Sequence, residues 1–131
     1  MKFTAVDLEK RKPLWTDFSE LWLDTEIQPD TLNYIALEMQ QSGYSLSELK
    51  DIYQHEVAPV VYQNLLVIAG EWAGFDEVWL HSRIQHYLRK PKIWRKFRGF
   101  ISRPGMFYAT KDHWATLETL FHSEIIDDKI N

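Results

Sequence analysis

Apolar side chains in this chain recur at intervals of three and four, and no run alternates apolar with polar residues. That spacing places the apolar groups along one face of a helix and gives a strand no dry side to bury. Leu14/Trp15, Phe18 and Leu21/Trp22 make one such stripe, and Leu32, Ile35, Ala36 and Met39 make a second. Leu49, Ile52 and Tyr53 extend a third, Leu80, Ile84, Tyr87 and Leu88 a fourth, and Ile93/Trp94, Phe97 and Phe100/Ile101 a fifth. Trp114, Leu117, Phe121 and Ile125 close the series. The pattern predicts an all-α fold, one compact domain over residues 1–131 with six or seven short helices. Residues 1–6 and 127–131 are expected to fray.

Punctuation supports the same division. Pro13 belongs in a first turn or at a kink of the helix predicted from about Asp7 to Leu23. Gln28-Pro29-Asp30 interrupts the chain before the second helix, and Gly43 is placed to close it in a left-handed conformation. Ser45-Leu46-Ser47-Glu48 has the spacing of a capping box, in which a serine and a glutamate satisfy each other's backbone N–H groups. Pro59 is read as the end of the third helix and the opening of the next segment. Thr110 is the expected cap of the last helix.

The run Asn64 to Phe75 is the longest weakly charged stretch, with Glu71 its one ionisable group. Leu65 to Ala69 carry no polar side chain, so the run is expected to be a central core element, apolar on every side. Gly70 and Gly74 bracket Glu71-Trp72-Ala73, the mark of a tight turn or a close backbone approach. A carboxylate there must be paired or exposed, since burying it alone is costly. Glu71 is therefore assigned an arginine or a helix N-terminus as partner, and Trp72 a core position.

Charge is unevenly distributed. The net value is −4, yet residues 78–111 hold nine Lys/Arg and no acid, while both flanks are acidic. Either the blocks face one another in the fold, or they leave one acidic and one basic surface for partners. Asp17, Glu20 and Asp24 form an acidic helical stripe, with Glu26 just beyond, and are candidates for contacting a basic partner. Read alone, the stripe lies opposite Trp15, Phe18 and Trp22 and is expected to be a solvated outer face. The alternative contact is the basic segment, chiefly Arg89, Lys92, Arg95 and Lys96. Its cations and interleaved Trp94 and Phe97 suit phosphates and bases. Against nucleic acid stand the core spacing of those aromatics and the overall acidic balance.

No catalytic site, metal site or cofactor is assigned. Five histidines (His55, His81, His86, His113 and His122) show no metal or catalytic spacing, and the absence of cysteine excludes thiolate chemistry and disulfides. No phosphate loop or nucleophile elbow is present. The first residues turn polar at once and every apolar run is interrupted before membrane-spanning length, so the expected address is the cytoplasm and no membrane partner is expected.

Several segments together resemble a small bacterial family of uncharacterised helical proteins. They are Leu21-Trp22-Leu23-Asp24-Thr25-Glu26, Tyr44-Ser45-Leu46-Ser47-Glu48-Leu49, Glu56-Val57-Ala58-Pro59-Val60, and Asn64-Leu65-Leu66 through Ala69-Gly70-Glu71-Trp72-Ala73-Gly74-Phe75. The last is the most distinctive, and the likeness spans most of residues 11–90. The resemblance implies a helical fold and a bacterial source. By analogy alone, such small single-domain proteins resemble the immunity proteins encoded beside secreted toxins. The expected role is a non-enzymatic module that binds and occludes a cognate protein. A nucleic-acid-binding or regulatory module using residues 89–103 is the alternative, and an enzyme with an unrecognised carboxylate site the third reading.

Overall fold

Helix formation begins at a reciprocal cap. In the computed structural model, which describes residues 4–23, 26–62, 77–90 and 107–123, the Thr4 hydroxyl accepts from the Asp7 N–H at 3.1 Å. The Asp7 carboxylate accepts from the Thr4 N–H at 3.2 Å and from its hydroxyl at 2.9 Å. These bonds hold the Asp7 carboxyl below its usual range. They also start α1 (Ala5–Leu23) two residues before the expected Asp7. Pro13 lies within α1 and does not divide it. The carbonyl deprived of its helical donor belongs to Glu9, and both residues are on the solvent side, where water supplies the missing bond.

α2 (Pro29–Gln41) opens on a proline at its first position, where the absent N–H is not missed. It ends as expected, with Gly43 at φ +83°, the left-handed conformation that closes a helix. Ser45 and Glu48 form the anticipated capping box of α3 (Leu46–Asp51). α4 (Glu77–Leu88) buries Leu80, Ile84, Tyr87 and Leu88, the stripe its spacing specifies. α5 (Lys111–Phe121) buries Trp114 and Leu117. Among the described residues there are five helices and no strand, an all-α fold. The central run 64–75, the helix expected over 93–101 and Ile125 lie outside the described residues.

The third helix departs from expectation at Pro59. Instead of stopping, the backbone widens into a π-helical turn over Ile52–Val57, with the Ala58 N–H bonded to the Tyr53 carbonyl five residues back. It then runs on in helical geometry through residues 58–62. A regular helix through Pro59 would press its ring against the carbonyl four residues earlier; a wider turn just before it makes room. The extra residue also changes the register by about 100°. Ile52, Tyr53, Glu56 and Val57 all face inward.

α1 is the spine of the core. Leu14, Trp15, Phe18, Leu21 and Trp22 are buried, and the helix packs on the π-turn, α2 and α4, while α2 packs along α5. Tyr53 sits among Phe18, Trp22, Phe107 and Trp114, and stacks on Trp114 at 4.3 Å with an interplanar angle of 4°. Thr110 precedes α5 as expected, but its hydroxyl makes no cap. It bonds the buried Tyr53 hydroxyl instead. Burial pushes the Tyr53 phenol up to about 12, so the ring stays neutral and the bond persists. At the far end of α5 the Gln40 amide donates to the carbonyls of Phe121 (3.0 Å) and Ser123 (2.8 Å), which the helix leaves without donors.

Candidate functional site

Two faces of α1 carry polar groups into the protein. On the first, Arg11 and Trp15, four residues apart, both reach Glu56 of the π-turn. The Arg11 guanidinium pairs with Glu56 Oε2, and Trp15 Nε1–H donates to Oε1 at 2.9 Å. The side chains of Arg11 and Glu56 are only 15% and 8% exposed. Arg11 and Lys10 also lie over the Tyr44 ring, at 5.3 and 4.6 Å from its centroid. This group joins α1 to the π-turn by charge and hydrogen bonding, since a carboxylate enters a core only when its lone pairs are met. Glu56 stands three residues before Pro59, the expected end of the third helix. Four residues after Ile52 and three after Tyr53, Glu56 shares the face that these residues bury.

The second polar face meets α2 and α4. Thr16 Oγ1 lies 2.8 Å from Nε2 of His81, whose ring also packs on Trp15 at 5.8 Å. Burial lowers the affinity of His81 for a proton, which favours the neutral ring. Beside Thr16, Asp17 hydrogen-bonds to Glu38 of α2, with Glu20 and Glu77 close enough to repel it. The Tyr34 hydroxyl donates to Glu38 Oε1 at 2.5 Å, and this bond raises the phenol to about 12. Burial first, then the bond to Glu38 and the repulsion of Glu38, Glu20 and Glu77, push Asp17 up to about 9. Four carboxyl groups from three helices are thus gathered at one junction, with Tyr34 half-exposed beside them.

The predicted acidic stripe is therefore only partly an outer face. Asp17 is half-buried in the seam and holds a proton at neutral pH, so it is a joint residue more than a solvated charge. Glu20 is half-buried on the same side and Glu26 is exposed, while Asp24 lies outside the described residues. Of the alternative basic set, Arg89 is exposed, and Lys92, Arg95 and Lys96 lie outside the described residues, as do Gly70, Glu71, Trp72 and Gly74. Glu38 escaped the sequence reading because it belongs to another helix. A hint did exist: Tyr34 and Glu38 stand four apart, a spacing at which side chains meet. No group of three His, Asp or Glu placed to hold a metal ion occurs among the described residues. No helix among them is long and apolar enough to cross a membrane.

The family model for a domain of unknown function, DUF7079, matches residues 9–120. The chain belongs to this family. The DUF7079 match takes in every helix described above except the first turn of α1 and the last residue of α5, so both polar faces of α1 fall within it. No curated protein and no solved structure matches the chain.

Proposed function

We propose that this DUF7079 protein is a non-enzymatic protein-binding module, most concretely an immunity protein that occludes a basic cleft of a cognate bacterial toxin. The observation that supports this reading is the convergence of Asp17, Glu20, Glu38 and Glu77 from α1, α2 and α4. The negative charges that add to burial in keeping a proton on Asp17 make a field that a partner's lysine or arginine relieves. Such complementarity steers encounter and fixes register. The half-exposed Tyr34 ring adds a rigid apolar surface with a polar tip, the type of group that anchors interfaces.

Co-expression with the product of the adjacent reading frame tests this. Protection of growth, a stoichiometric complex by gel filtration, and an association rate that falls steeply with salt are the expected results. Glu20→Gln combined with Glu26→Lys and Glu77→Lys weakens that complex by roughly ten- to a hundredfold while the helical signal stays intact. Binding to random DNA with a steep salt dependence, and none to the adjacent product, refutes the proposal in favour of the basic segment.

A further inference from the structure

The Asp17–Glu38 contact contains an arithmetic of donors. Glu38 Oε1 is filled by the Tyr34 hydroxyl. Glu38 Oε2 and Asp17 Oδ2 are both buried, and no N–H or O–H group of any other residue reaches either. Ionised carboxylates only accept, so two such oxygens on facing helices satisfy one another only if a proton lies between them. The titratable groups that face Asp17 are Glu20 on its own helix, Glu38 and Tyr34 on α2, and Glu77 on α4. His81 of α4, favoured in its neutral form, touches neighbouring Thr16. The named charges acting on Asp17 are all negative, and each favours retention of the proton.

We infer that the junction of α1, α2 and α4 is a proton-locked joint, in which one proton shared by Asp17 and Glu38 ties α1 to α2 and the joint weakens as that proton is withdrawn. The lock does not depend on whether the protein binds a toxin. Its thermodynamic consequence has a definite sign. The folded chain holds the proton up to about pH 9, whereas the unfolded chain releases it near the ordinary value of 3.8. The stabilisation is full below about pH 4, declines as pH rises, and is exhausted at about pH 9. Across that window the folding constant falls tenfold for each pH unit, because one proton is released on unfolding.

Asp17→Asn isolates the effect, since the amide N–H₂ replaces the acid as donor to Glu38 but has no proton to lose in this range. Urea unfolding of the full chain and of Asp17→Asn is measured from pH 5 to pH 9.5. The expected result is a ratio of folding constants, native over variant, that falls about tenfold per pH unit and levels near pH 9. Parallel curves overturn the inference. A second measurement does not require the variant to fold: carboxyl ¹³C titration of the intact native protein. One aspartate carboxyl titrating near pH 9, and shifting downward in Glu38→Gln while burial still holds it above the ordinary carboxylate range, supports the lock. Titration of every carboxyl in the ordinary range refutes it.

Discussion

Replacing Glu56 by glutamine keeps the volume of the side chain and removes the charge that faces Arg11. The Arg11 side chain is only 15% exposed, so solvent cannot fully replace the lost carboxylate. The new amide also has only one oxygen. If that oxygen keeps the 2.9 Å bond from Trp15 Nε1, the N–H₂ group points at Arg11, donor against donor. If it turns to Arg11, the indole N–H of a fully buried Trp15 faces a donor instead. Removing one partner of a buried pair costs about 3–5 kcal/mol. The residual exposure of Arg11 and its position over the Tyr44 ring argue for the lower end, ~3 kcal/mol. For a chain of this size that is a fall of roughly 10 °C in Tm. Urea unfolding of the native protein and Glu56→Gln, followed by far-UV circular dichroism, measures it. The companion is the double substitution Arg11→Met with Glu56→Leu, which removes both charges together and recovers much of the loss. A Glu56→Gln protein within ~0.5 kcal/mol of native, or a double variant that simply sums two independent losses, refutes the assignment of this pair as the tie between α1 and the π-turn.

Three other outcomes are expected. Thr110→Val strands the buried Tyr53 hydroxyl and destabilises by about 1–3 kcal/mol. Adding Tyr53→Phe removes the other half of the bond and costs little more, which a double-mutant cycle of urea midpoints reads as coupling. Gly43→Ala meets no atom within 4 Å of the added Cβ, so its cost is the backbone penalty at φ +83° alone, about 1 kcal/mol by thermal melting. The carboxyl substitutions set out above weaken the proposed complex without a comparable change in Tm, because Glu26 and Glu77 are exposed. A complex indifferent to them moves the contact elsewhere.

The features legible in the sequence are those decided within a few residues of the chain. The Ser45–Glu48 box, the left-handed Gly43 and the Leu80/Ile84/Tyr87/Leu88 stripe all follow from local spacing, and the structure returns them as read. The Thr4–Asp7 cap is equally local, and it starts α1 at Ala5 instead of the expected Asp7. What periodicity cannot report is what a neighbouring helix brings. Asp17, Glu20 and Asp24 share a face of α1, but whether that face meets water depends on Glu38, which lies on α2. Glu56 is hidden for a related reason. A constant 3.6-residue period sets it on the same face as Leu49, Ile52 and Tyr53, but the cation that lets a carboxylate stay there, Arg11, lies 45 positions away on another helix.

The stacked pair of Tyr53 and Trp114 has an optical consequence. Two rings held 4.3 Å apart at 4° to one another, in a fixed and asymmetric setting of Phe18, Trp22 and Phe107, have coupled transitions that depend on that geometry. The pair spans the contact between the π-turn and α5, so a near-ultraviolet dichroic band from it reports whether the last helix is docked, independently of whether it is helical. Far-ultraviolet signal retained while that band is lost marks a state with its helices formed and its aromatic centre open. The protein thus carries, without any label, a gauge that separates packing from secondary structure.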